Sequence, residues 1–184
     1  MNSPSFGKAF VYILPCNGED ILKLGFSRDP LIRLQTLHHR YFDFFDIDRA
    51  FMIETDRVRD ARSLERELGS QIAQHRAPAP LMIRPHAGGH TEWYRGALQI
   101  VLDRAESLKV HRGHMLWPLR PWLRARLQQQ SDNFVEWSTS VCAELDIARA
   151  QGLGAIAHRL ELLLRDTLDA FAAFDIARPP SDAS

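Results

Sequence analysis

No stretch of the 184-residue chain is apolar for long enough to cross a membrane, and the one apolar run near its start, residues 10–14, is too short for a signal-peptide core. Cysteine is nearly absent. Cys16 and Cys142 stand too far apart in sequence for a CxxC metal or redox site, and two cysteines build no disulfide framework, so free thiols in a reducing compartment are expected. The chain also lacks a glycine-rich phosphate loop, an HExxH zinc helix, a GxSxG nucleophile turn, internal repeats and low-complexity tracts. Nor has it an excess of either charge, with 23 basic and 23 acidic residues. What is there, 45% hydrophobic and 25% charged residues, is the balance of a folded globular chain. A soluble, cytoplasmic protein that does not engage membranes is the expectation.

Zero net charge conceals a polarity along the chain. Residues 76–126 hold nine basic side chains against Glu92, Asp103 and Glu106, whereas the residues after Ser131 hold nine acidic against four basic. The centre can attract polyanions and the tail repels them, unless both are simply solvated helix faces.

Two short β-rich runs, 10–14 and 21–26, flank Asn17-Gly18-Glu19-Asp20 and read as a β-hairpin. Ser27-Arg28-Asp29-Pro30 is a helix start, with Asp29 as N-cap and Pro30 at the first helical position. Leu31, Leu34 and Leu37 mark the buried face of a helix ending near Arg40. Residues 50–54 read as a third strand and 60–76 as an amphipathic helix with Ala61, Leu64, Leu68 and Ile72 on one face. A helical run follows Trp93-Tyr94 to about Val110, and 111–114 read as a linker. Beyond it the pattern is helical, with an αα-hairpin turning at Gln151-Gly152-Leu153-Gly154. The expected fold is therefore α+β, a small antiparallel sheet of a hairpin plus a third strand flanked by helices. It comprises a domain over 8–112, a helical extension over 113–178 and a frayed end over 179–184.

Candidate chemistry gathers on the hairpin. Tyr12 lies mid-strand, Lys23 on the second strand, Arg33 eight residues beyond Gly25, and Glu92 ahead of Trp93. Each has an ordinary alternative: a β-forming tyrosine, an edge-strand lysine, a solvated arginine, a surface ion pair. His38, His39, His75, His86 and His90 show no metal spacing, and the aromatic–Asp run 41–46 reads equally as a carboxylate cluster or as a loop packing its rings inward.

Taken in order, Phe10-Val11-Tyr12, Lys23-Leu24-Gly25, Arg33 and Glu92-Trp93 resemble the GIY-YIG endonuclease superfamily. The similarity is to the small phage and bacterial branch in which Lys-aliphatic-Gly replaces the second Tyr-Ile-Gly, and it covers residues 8–110. Phe10 in place of the first glycine and Lys23 in place of the second tyrosine depart from the pattern. The resemblance implies a GIY-YIG-like fold that hydrolyses DNA phosphodiesters with one Mg²⁺ or Mn²⁺ ion. It makes Glu92 the metal ligand, Arg33 the phosphate clamp, and either Tyr12 or Lys23 the group that takes a proton from water. Arg28, Arg84, Arg95 and Arg112 are the candidate nucleic-acid contacts. Trp93, Trp117 and Trp122, set among the arginines, either stack bases or pack the core. The C-terminal helices are the candidate surface for a homodimer. The competing reading is a catalytically inactive module that binds nucleic acid or protein through those helices.

Overall fold

The computed structural model describes residues 8–83 and 90–177. Arg84 and the end assigned to 179–184 lie outside the described residues.

Hairpin strands β1 (Ala9–Pro15) and β2 (Ile21–Ser27) pair antiparallel with Tyr12 opposite Gly25, and Gly18 takes a φ of 73° in the turn. A third strand, β3 (Phe51–Thr55), joins the other edge of β1. Three more strands extend the sheet beyond the sequence-based expectation: β4 (Arg76–Ala77), β5 (Trp93–Arg95) and β6 (Leu116–Pro118). With two or three residues each, they are too short for a period of two to register in sequence. The order is β4-β5-β2-β1-β3-β6, antiparallel at each pairing, and the fold class is α+β.

Alternation along the strands sorts side chains onto two faces. Val11, Ile13, Leu22, Leu24 and Ile53 pack against Ala61, Leu64 and Leu68 of α3 (Val58–Gln71) and Val101, Ala105 and Leu108 of α4 (Leu98–Arg112). The opposite face carries Phe10, Tyr12, Leu14, Lys23 and Met52, all buried. On that side lies α1 (Pro30–Leu37), started by the Asp29 carboxylate, which accepts from Ile32 N at 3.3 Å, and by Pro30 in the first turn. The aromatic run forms the short α2 (Tyr41–Phe44) and turns rings inward, burying Tyr41 and the following Phe45.

Two expected boundaries move. Helix α3 stops at Gln71, and a 3-10 turn (Ala73–His75) leads into β4 instead of continuing the helix to 76. After Gly113, whose N–H caps α4 on Lys109 O at 3.2 Å, the chain enters β6 and rejoins the sheet. Glu54 N donates to Met115 O at 2.9 Å, Trp117 Nε1 donates to Glu54 Oε2 at 2.9 Å, and Lys8 completes an ion pair with the same carboxylate.

Two compact units divide the chain, one running to Arg120 and the other beginning at Pro121. The second holds most of α5 (Leu119–Ser131) and an antiparallel hairpin of α6 (Phe134–Ala150) and α7 (Gly154–Ala173). Leu145 and Ala148 pack on Ala157, Leu160 and Leu164, Phe134 meets Phe171 at 5.3 Å between ring centres, and Arg149 pairs with Glu161 at 2.7 Å. No helix among the described residues is long and apolar enough to cross a membrane.

Candidate functional site

Pairing ends early on one side of β2. Strand β5 covers Ile21–Lys23 only, after which Leu24 N donates to Glu92 O at 3.0 Å. Groups from both sheet faces meet at this edge. Glu92 adopts φ 57°, a left-handed conformation that costs a non-glycine residue about 1 kcal/mol. With that twist its carbonyl serves β2 while its carboxylate turns to Lys23.

The Lys23 ammonium is 2% exposed. It donates to Leu24 O at 2.7 Å and Thr91 O at 2.9 Å, with Glu92 Oε2 more distant at 3.5 Å. The ring of Trp93, its cross-strand neighbour, lies 5.9 Å away and stacks in turn on Phe45. Burial drives the Lys23 pKa down to about 8, against the upward pull of Glu92 and Glu65.

Tyr12 lies two residues along from the Lys23 register, its ring laid over Gly25. A Cβ on Gly25 would overlap the tyrosine hydroxyl oxygen, so the Lys-Leu-Gly triplet needs its glycine for space. Arg33 Nε donates to that hydroxyl at 3.2 Å. Burial raises the Tyr12 pKa and outweighs the stabilisation of phenolate by Arg33. The phenol therefore keeps its proton at neutral pH, and the cation acting on it is Arg33.

A fifth group joins from α3. Glu65 is half-buried, and its pKa is raised first by burial and then by the Glu92 carboxylate, while Lys23, Arg62 and Arg66 pull it down. Sequence reasoning missed Glu65, because on an amphipathic helix it falls among the charges facing solvent. Its position four residues after Ala61 and three before Leu68 of the buried stripe, on the flank beside β2, is the signal that was available.

The other candidates separate from this group. Arg112 is bound to Glu67 at 2.9 Å, beside an Arg104–Glu67 pair of the same length, and so joins α4 to α3. Arg95 is exposed on β5 and its carbonyl accepts from His75 Nδ1 at 2.9 Å; Arg28 is exposed between β2 and α1. Trp93 is buried beneath Lys23 and Trp117 serves Glu54, so two of the three tryptophans pack the fold. A cavity of about 260 Å³ opens by the hairpin turn, among Cys16, Glu19, Asp20, Asp46 and Gly96, and holds none of the five groups.

The family model of the T5orf172 domain matches residues 9–109. The chain belongs to the T5orf172 domain family. This corrects the resemblance to the GIY-YIG superfamily, which is a different family. That resemblance rested on a few short elements with two departures, at Phe10 and Lys23, whereas the T5orf172 match extends from β1 into α4. All five site residues fall within the T5orf172 domain, and the second unit lies outside it. No curated protein and no solved structure matches the chain.

Among the described residues no cluster of three His, Cys, Asp or Glu side chains is arranged to hold a metal. Glu65 and Glu92 do suit one kind of ion. They are two hard oxygen donors, the Glu92 carboxylate close enough to raise the proton affinity of Glu65, and no described hydrogen bond engages Glu92 Oε1. Mg²⁺ and Mn²⁺ characteristically take one or two carboxylates and fill their remaining positions with water and phosphate.

Proposed function

We propose that the T5orf172 domain of this protein hydrolyses DNA phosphodiester bonds with a divalent cation. The observation that carries the reading is the convergence of a buried amine of lowered pKa, a phenol, a guanidinium and two carboxylates at the edge of β2. Glu92 and Glu65 would hold Mg²⁺ or Mn²⁺, which when bound supplies neutralisation of the phosphate charge.

Water adds to phosphorus as the bond to the leaving sugar oxygen breaks. Lys23 Nζ takes one proton from that water, and the leaving oxygen gains one from solvent. The geometry supports Lys23 as the base. A neutral amine keeps two N–H bonds, to Leu24 O and Thr91 O, and turns its lone pair to the third side, where Glu92 stands at 3.5 Å. With a pKa of about 8, roughly a tenth of Lys23 is neutral at pH 7. Tyr12, neutral, donates its proton as a hydrogen bond to a phosphate oxygen. Arg33, steadied by Tyr12, clamps the phosphate through its planar fork as charge grows in the transition state. We place this activity in the cytoplasm, where Cys16 and Cys142 remain the free thiols they are here.

Supercoiled plasmid incubated with the purified protein and Mg²⁺ or Mn²⁺ tests the reading. Wild type nicks it, and Glu92→Gln and Arg33→Ala lose about 10²–10³ in rate. Equal nicking by wild type and both variants overturns it.

A further inference from the structure

Helix α3 carries charge of two kinds on its two flanks. On one, Glu67 is matched by Arg104 and Arg112 at 2.9 Å each. On the other stand Arg59, Arg62 and Arg66, all exposed. Spacings of three and four residues place them on one face, over about 10 Å of helix axis. The buried stripe Ala61–Leu64–Leu68 fixes which way that face points. Arg59 is 3.5 Å from Asp60, whereas Arg62 and Arg66 enter no ion pair among the described residues. Arg62 lies 5.6 Å over the Phe26 ring, and Arg66 Nε donates to Arg62 O at 3.4 Å, so each has a contact that limits its sweep. Both act on the Glu65 carboxyl, which puts them beside the site.

Resting on the hydrolase reading above, we propose that Arg62 and Arg66, with Arg59 at the far end, form the ridge on which the backbone of duplex DNA lies as it enters the site. Cations one helical turn apart, Arg62 and Arg66 in no described ion pair, suit a row of phosphates. Arg62 covers Phe26, so the ridge presents charge and no aromatic platform. That favours a paired backbone over the unstacked bases of a single strand. The ridge belongs to a helix outside the 76–126 segment where the basic excess is concentrated.

Fluorescence anisotropy with a labelled DNA duplex in EDTA, across a salt series, provides the test. Arg62→Ala/Arg66→Ala is expected to weaken binding at least about tenfold and to lower the slope of log K against log salt by about two. Arg62→Lys/Arg66→Lys retains most of the affinity, and Arg159→Ala/Arg165→Ala, an equal charge change on α7, stays within about twofold. Arg66→Glu alone, at an exposed position, gives a second measure should the double variant fail to fold. Unchanged affinity in the ridge variants overturns the proposal. So does an equal loss in the α7 variant, or a wild type that prefers duplex RNA or single-stranded DNA. Binding through the ridge without nicking counts against hydrolysis alone, and nicking with an indifferent ridge counts against the ridge alone.

Discussion

Two of the three lysines in the chain pair with glutamates on the sheet, and the two pairs are built in opposite ways. At β3 the carboxylate is the buried partner: the Glu54 side chain is 8% exposed and Lys8 30%. The Glu54 carboxylate takes a second hydrogen bond from Trp117, so both strand and side chain fasten β6 to the sheet. At β2 the amine is buried instead, 2% exposed, against a Glu92 that is 38% exposed and 3.5 Å away. Its short bonds go to neutral carbonyls, which return less to a charge removed from water than a carboxylate does. Well-matched burial makes a clamp. Poorly matched burial leaves a group whose proton is easily lost, at the edge where Tyr12, Arg33 and Glu65 also arrive.

The contrast breaks most directly at Lys23. Lys23→Met is expected to lower plasmid nicking by about 10³-fold or more, since it removes both base and charge; a rate near wild type would end the distinction. Gly25→Ala comes next. Its methyl displaces the Tyr12 hydroxyl and with it the Arg33 contact, and a loss of about 10²-fold is expected, with Tyr12→Phe recovering none of it.

A smaller effect separates the pairs by pH. Nicking by wild type should rise about tenfold from pH 7 to 9 and level off above the Lys23 pKa of about 8. The same shift acts on stability. The folded value lies below the unfolded 10.5, so between about 8 and 10.5 the unfolded chain holds the extra proton and stability rises with pH. The gap in Tm between wild type and Lys23→Met should change across that window and stay flat below pH 7, where both states are protonated. Subtracting the variant cancels the opposing contributions of Tyr12, Tyr41 and Cys16, whose pKa values burial raises. Least of all should the clamp matter to chemistry. Glu54→Gln, which weakens the bonds to Lys8 and Trp117, is expected to cost about 2 kcal/mol in denaturant melts yet leave nicking within about threefold. A large loss of rate with intact stability would mean that the two pairs share a function.

Much of the frame was open to sequence reading because its causes are local. The β1–β2 hairpin shows in two β-rich runs around Asn17-Gly18, α1 in Asp29-Pro30, and α3 in a clean apolar stripe. Tyr12, Lys23 and Arg33 could be singled out as polar groups on apolar elements, and Glu92 as the acid ahead of Trp93-Tyr94. Strands β4, β5 and β6 could not, since their pairing is decided by distant partners and not by their own two or three residues. Glu65 was hidden for the same reason: its spacing says surface, and only the early end of β5 turns that surface into part of a site.

The family illustrates the same limit. A handful of ordered motif residues pointed to one superfamily, and the match over residues 9–109 assigned another. The sequence by itself determined the alternation, caps and apolar stripes of this protein, since these follow from neighbours a few residues apart. Tertiary structure alone decided which lysine is stranded from water beside which carboxylate, because burial and charge coupling depend on groups that meet only after the sheet has closed around them.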